Sequence, residues 1–233
     1  MSVDYNALKL ECYKANMELN ELGLVIYTFG NVSAVDRENG VFAIKPSGVP
    51  YKVLKPEDMV IVDFDNNIIE GELRPSSDTK THAYLYKKWD DIGGIAHTHA
   101  MYSVAWAQAQ KDIPIFGTTH ADHLTTDIPC AVPMSDDLIS GNYEHNTGVQ
   151  IVDCFKEKGL SHTEVEMVLI SNHGPFTWGN DAAKAVYNSK VLETVAQMAT
   201  LTLQINPQAP KLKDSLIKKH YDRKHGSTAY YGQ

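Results

Sequence analysis

The run Ile95-Ala96-His97-Thr98-His99 is where the sequence first offers chemistry. On a β-strand successive side chains alternate, so His97 and His99 project from one face. Two neutral imidazoles at that spacing can hold one divalent ion, with nitrogen donors suited to zinc, iron or nickel. The preceding residues, Gly93-Gly94-Ile95-Ala96, are small or apolar and place the pair at the rim of a core. A third ligand must come from elsewhere. His173 follows the apolar run Met167–Ser171 and precedes Gly174-Pro175; His120 and His123, in the turn-rich run Thr119–His123, compete with it. Spacing favours His173, at the end of a strand.

Three other segments carry the small, hydroxylated residues that surround phosphate groups: Gly30-Asn31-Val32-Ser33, Lys45-Pro46-Ser47-Gly48 and Pro75-Ser76-Ser77-Asp78-Thr79. Glycine lets backbone N–H groups approach an anion, and a helix N-terminus adds a favourable dipole. Ser76 and Ser77 fall at such a terminus, and Lys45 offers local positive charge. Any one of the three is an ordinary turn or cap. Together with a metal pair they point to a small phosphorylated substrate.

These side chains need a scaffold, and composition bounds it. The chain has 233 residues, 43% apolar and 21% charged, with a formal net charge of −8. That is too apolar for a disordered chain and long enough for a sizeable core. The acidic balance argues against nucleic acid, whose binding needs basic surface. No apolar run reaches the length of a membrane span. Met1-Ser2-Val3-Asp4-Tyr5 has no basic leader pattern, and Cys12, Cys130 and Cys154 are too far apart for a disulfide framework or a Cys-x-x-Cys zinc site. A cytoplasmic protein is expected.

The elements follow from periodicity. Asp4–Leu22 reads as an amphipathic helix with Leu8, Leu10, Cys12, Ala15, Leu19 and Leu22 as its stripe. Asn31–Asp36 and Val41–Lys45 form one expected hairpin, Met59–Phe64 and Asn67–Glu72 another. A helix is expected from about Thr79 to Trp89, a strand at Gly93–His99, and a helix from about Ala100 to Ala109. Residues 113–133 read as short extended runs with turns. Two further helices, near Gly148–Lys158 and Asp181–Gln204, flank a strand at Met167–Ser171. The interleaving predicts one α/β layered domain over residues 1–233, and the hairpins make its sheet mixed or largely antiparallel. The basic C-terminal cluster Lys218, Lys219, His220, Arg223, Lys224 and His225 reads either as a charged tail or as a flap.

Taken together, Gly30–Arg37, Lys45–Val49, Arg74–Thr79, His97-Thr98-His99, Gly117–Asp122, His173–Phe176 and the terminal Ala229-Tyr230-Tyr231-Gly232-Gln233 resemble, collinearly, the L-ribulose-5-phosphate 4-epimerases of the class II sugar-phosphate aldolase/epimerase superfamily. The resemblance implies a three-layer α/β/α sandwich. It implies one Zn²⁺ per subunit on His97, His99 and His173, other divalent metals being possible. Asn31, Lys45, Ser47, Gly48, Ser76 and Ser77 match phosphate-binding positions, and Asp78 matches an acidic residue beside the metal. Asp122 and Tyr231 match an acid/base pair supplied by the neighbouring subunit of a homotetramer. The flap reading brings Tyr231 and Arg223 over the phosphate end of that adjacent site.

The reaction so implied interconverts L-ribulose 5-phosphate and D-xylulose 5-phosphate, as pentose routes such as arabinose catabolism require. Carbon 4 of a ketopentose has no acidic proton, so inversion calls for retro-aldol cleavage of C3–C4, rotation of the aldehyde and re-addition, with a metal ion as Lewis acid and two acid/base groups. A class II aldolase is the nearest alternative. It would share the histidines and the phosphate residues, but with Glu where this chain has Asp78. A catalytically silent metal-binding protein of the same fold is the other.

Overall fold

The computed structural model describes residues 3–226 and 229. Among these residues, eight strands form one sheet: β1 (Asn31–Asp36), β2 (Val41–Ile44), β3 (Val60–Asp63), β4 (Ile68–Glu70), β5 (Gly94–His97), β6 (Cys130–Ala131), β7 (Met167–Ile170) and β8 (Gly174–Gly179). Their order is β4-β3-β2-β1-β5-β8-β7-β6, and every pairing is antiparallel except β6 with β7. The two expected hairpins are present. So is the mixed, largely antiparallel sheet.

Helices cover both faces. On one side α1 (Asn6–Glu21) and α7 (Ala182–Ile205) bury Cys12, Leu19, Ala185 and Val186 against Val32, Ala34, Ala43 and Ile61. On the other, α2 (Thr79–Lys88) and α6 (Tyr143–Lys158) pack Leu85, Tyr86, Ile151 and Phe155 into a core with Phe42, Ile44, Ile95 and Trp178. The alternation of β1 and β2 between these cores is the period-2 pattern of a sheet buried on both sides.

Several expectations are corrected. In α1, Leu10 is exposed, whereas Lys9 and Asn16 are buried. Lys9 pairs with Glu70 at 2.5 Å, and Asn16 exchanges hydrogen bonds with the backbone of Val32. Polar partners therefore override the apolar stripe. Gly174-Pro175 does not simply stop β7 but opens β8, with Pro175 facing Leu169. Residues 113–133 include a helical turn, α4 (Thr118–Ala121), and α6 begins five residues before its expected start. The basic cluster forms a helix, α8 (Asp214–His225). Among the described residues no helix is long and apolar enough to cross a membrane.

Two histidines outside the expected ligand set, His82 and His120, are buried at 0% and 3% exposure. Burial pushes their pKa values down to about 3 and about 4. Both lie below the ordinary value near 6.5, so in that window the unfolded chain binds protons that the fold does not. Stability should therefore fall as pH drops below about 6.5. Replacing His120 by Gln should flatten the pH dependence of urea-unfolding free energy between pH 4.5 and 6 by about one proton, roughly 1.4 kcal/mol per pH unit. An unchanged slope would mean that His120 is charged in the fold.

Candidate metal centre and anion pocket

β5 ends at His97, which pairs with Asn31 of β1 on one side and Phe176 of β8 on the other. Its ring stacks on Phe176 at 4.3 Å between centroids, and Nδ1 lies 2.9 Å from the Pro175 carbonyl. A carbonyl can only accept, so Nδ1 carries the proton and Nε2 keeps its lone pair. His99 lies just past the strand end, not on it, and its Nε2 faces that of His97 at 3.0 Å. His173 enters from the β7–β8 turn, where Asn172 adopts φ +62° and the His173 N–H bonds the Ile170 carbonyl. The ligand atoms of His97, His99 and His173 all lie within 4.8 Å of one another. On a tetrahedral zinc with bonds of about 2.0–2.1 Å, two nitrogens stand roughly 3.4 Å apart, so the three imidazoles fit such an ion.

Electrostatics agree. Burial, helped by neighbouring histidines, pushes His97 down to about 3 and holds His173 well below its ordinary value; burial also lowers His99. All three are neutral donors at physiological pH. Asp78 stands beside them and its charge opposes these shifts at His99 and His173. It occupies the N-cap position of α2, yet its carboxylate makes no cap bond and instead accepts from Asn31 Nδ2 at 2.6 Å.

The same cavity, about 310 Å³, is lined by the histidines, Asn31, Asp78 and the three expected phosphate segments. Two of those segments are tied together: the Ser47 N–H bonds the Arg74 carbonyl and the Ser76 N–H bonds the Lys45 carbonyl. Both amides are thereby spent on joining the loops, while Lys45, Gly48 and the serine hydroxyls line the pocket. Gly30 turns at φ +77°, where an added Cβ would stand 2.9 Å from the His97 carbonyl, so only glycine fits. Lys45 is 1% exposed, with Nζ 3.4 Å from the Thr28 and Pro46 carbonyls and 4.8 Å from the Tyr51 ring centroid. Burial lowers its pKa to about 8. Among the described residues no carboxylate forms an ion pair with it, and a buried cation of that kind suits an anionic ligand.

The sequence did not single out Tyr143, whose hydroxyl is 3.4 Å from His173 Nδ1, and no motif marks it. Phe176 closes the His173–Phe176 motif, which gives it no role of its own; it lies beneath His97. His120 is turned to the Thr126 carbonyl and does not join the triad. Asp122 and Arg223 do not line this cavity. They meet each other: Arg223 donates to both Asp122 oxygens at 3.0 and 2.8 Å, and His220 Nδ1 lies 2.9 Å from Oδ1. Burial alone would raise the Asp122 carboxyl, but the bonds from Arg223 and His220 outweigh it and hold it below the usual carboxylate range. Tyr231 lies outside the described residues.

A sheet of this topology with three converging imidazoles and a buried lysine in one cavity defines a recognisable class. Residues 11–200 match the Class II Aldolase and Adducin N-terminal domain, and the chain belongs to that family. It is 49% identical over 226 residues to the L-ribulose-5-phosphate 4-epimerase UlaF of Salmonella paratyphi B, covering 97% of this chain and 98% of the relative. The corresponding protein of Salmonella typhi matches equally, at 49%. Among solved structures, an L-fuculose 1-phosphate aldolase superposes with a TM-score of 0.78 at 25% identity, over 96% of this chain and 97% of that one. An L-fuculose 1-phosphate aldolase from Glaciozyma antarctica PI12, 17% identical, shares the fold at a TM-score of 0.76, over 96% of this chain and 84% of that one.

Two outcomes follow. Removing His173 as His173→Ala should weaken Zn²⁺ binding by more than the roughly 10–100-fold typical of outer partners of a metal site, as read by competition with a chromophoric chelator. For Lys45 the charged form prevails below about pH 8. Inorganic phosphate should therefore bind less tightly as pH rises from 7 to 9, by up to about tenfold. Lys45→Met should bind weakly at both pH values in the same calorimetric titration.

Proposed function

We propose that the protein is a divalent-metal-dependent L-ribulose-5-phosphate 4-epimerase that forms D-xylulose 5-phosphate. The observation that carries this reading is one cavity of about 310 Å³ that combines three neutral imidazoles with a buried lysine that, among the described residues, has no carboxylate partner. The near-full-length likeness to proteins named for that activity narrows the substrate.

His97, His99 and His173 would hold the metal, Zn²⁺ in the first instance. When bound, it supplies Lewis-acid stabilisation to the enediolate charge left by C3–C4 cleavage. Lys45, Ser47, Gly48, Ser76 and Ser77 bind the phosphate, so the glycolaldehyde phosphate fragment stays anchored while its aldehyde turns. Asn31 fixes the carboxylate of Asp78 beside the histidines.

Asp122 and Tyr231 are the acid/base pair, one for each face of the aldehyde. Asp122 does not line its own chain's cavity, which supports its delivery to the cavity of an adjacent copy in a homotetramer. Arg223 and His220 keep its carboxylate ionised, the form in which it can act as a base. Arg223 then stands at the same interface, near the substrate's phosphate. The shared fold with L-fuculose 1-phosphate aldolase keeps aldol cleavage without re-addition as the second reading.

The deciding measurement is a coupled assay on L-ribulose 5-phosphate, with and without chelator. Formation of D-xylulose 5-phosphate that chelator abolishes is expected; release of dihydroxyacetone phosphate from L-fuculose 1-phosphate instead would establish the aldolase. Asp122→Asn should lose at least about 100-fold in kcat, the lower range of a general acid–base contribution, with full metal content. Near-wild-type turnover would remove Asp122 from the reaction.

A further inference from the structure

A line of polar side chains runs from the metal site into an otherwise apolar core. Along α2, Asp78, His82 and Tyr86 follow one another at four-residue spacing, on one helical stripe. Along β1, Asn31 and Ser33 share the face turned toward them. Three contacts join the two elements: Asn31 Nδ2 to Asp78 Oδ2 at 2.6 Å, Ser33 Oγ to His82 Nδ1 at 2.7 Å, and Ser33 Oγ to the Tyr86 hydroxyl at 2.7 Å.

The direction of these bonds follows from counting protons. Ser33 and Tyr86 have one hydroxyl proton each, and Tyr86 is 1% exposed with Ser33 as its hydrogen-bond partner. If Ser33 donated to Tyr86, the Tyr86 proton would be buried without an acceptor, an arrangement folded proteins avoid. Tyr86 therefore donates to Ser33, and Ser33 donates to His82 Nδ1. The imidazole is neutral, since burial lowers its pKa to about 3, so its one proton sits on Nε2. Among the described residues, His82 Nε2 is a buried atom with no partner, and so is Asn31 Oδ1. One is a donor, the other an acceptor. They stand on neighbouring rungs of the same β1–α2 face.

We propose that His82 is a positioning residue: as the Nε2–H tautomer it donates to Asn31 Oδ1 through one bound water, and thereby locks the Asn31 amide with Nδ2 toward Asp78. The relay then runs Tyr86 to Ser33 to His82 to Asn31 to Asp78, each member donating to the next. Its polarity matters, because a flipped Asn31 amide would set Oδ1 against the Asp78 carboxylate. Hydrogen bonds aligned in one direction polarise one another, so a change at Tyr86 is felt at Asp78. No covalent step is involved, and no proton need leave the relay.

The kinetic part of this inference rests on the proposed epimerase reading; the tautomer does not. In protein labelled with ¹⁵N-histidine, two-bond ¹H–¹⁵N correlations should show one ring, absent from His82→Gln, as the pure Nε2–H tautomer. Tyr86→Phe and Ser33→Ala should turn that ring into a tautomer mixture. An Nδ1–H ring in the wild-type protein overturns the proposal, whatever the substrate proves to be. If the protein epimerises L-ribulose 5-phosphate, Tyr86→Phe should lower kcat by roughly tenfold, the lower end for outer partners of a metal site, with KM and metal content unchanged. His82→Gln, which can both accept and donate, should retain more kcat than His82→Leu. A Tyr86→Phe enzyme that merely melts earlier at wild-type kcat overturns the positioning role. A wild-type protein with no epimerase activity defeats the functional reading alone and leaves the tautomer measurement to decide the relay.

Discussion

The register between β5 and β8 is the constraint from which the site follows. Gly94 stands opposite Gly179, and His97 opposite Phe176. The alignment is pinned sterically: a Cβ at Gly94 would come within 2.4 Å of the Ala182 Cα, and one at Gly179 within 2.3 Å of Lys184 Cγ. The start of α7 thus rests on bare backbone, and no side chain can enter there without moving the helix. A slip of one residue would turn His97 from the Phe176 face to the face covered by α1 and α7. Because His173 sits in the turn that begins β8, the same pairing delivers the third imidazole. The β8 backbone also supplies the Pro175 carbonyl that sets the His97 tautomer.

Other distant contacts hold the second histidine. His99 leaves the sheet toward α3 (Met101–Gln108), whose first turn has no local side-chain cap. Glu193 of α7 takes that role: its carboxylate accepts from the N–H groups of Tyr102 and Ser103, at 2.9 Å each, and from the Ser103 hydroxyl. A charge-assisted cap from another helix fixes where α3 begins, and so where the residues before it can lie.

In the cavity beside the histidines, local preference gives way to other contacts. Asp78 is well placed to cap α2 but spends its carboxylate on Asn31. Lys45 is buried with no ion pair among the described residues, in a chain whose net charge is −8. Both arrangements cost stability and are tolerated where a ligand is to be bound. A second polar centre forms around Asp122, where α8, a helix with no fully buried residue, is held to α4 by bonds from His220, Arg223 and His225.

Much of this architecture is legible in the linear chain. Alternating apolar residues mark the hairpins, and the glycine, serine and lysine runs name the pocket, because such signals are local. The donor types are likewise local: imidazoles suited to a metal, hydroxyls and Lys45 suited to an anion. The sequence could not reveal β8 or α8, since proline argues against a strand and a basic run resembles a solvated tail. Nor did it show that Lys9 and Asn16 would displace Leu10 from the interior. The family resemblance already names His97, His99 and His173 and sets Asp122 at a neighbouring site; the folded chain shows how the three imidazoles are brought within reach of one another, with His120 turned away and Asp122 outside the pocket. Those outcomes depend on strand register and on partners far away in the chain, such as Glu193 for α3 and Pro175 for His97, and spacing along a sequence does not encode distances across a sheet.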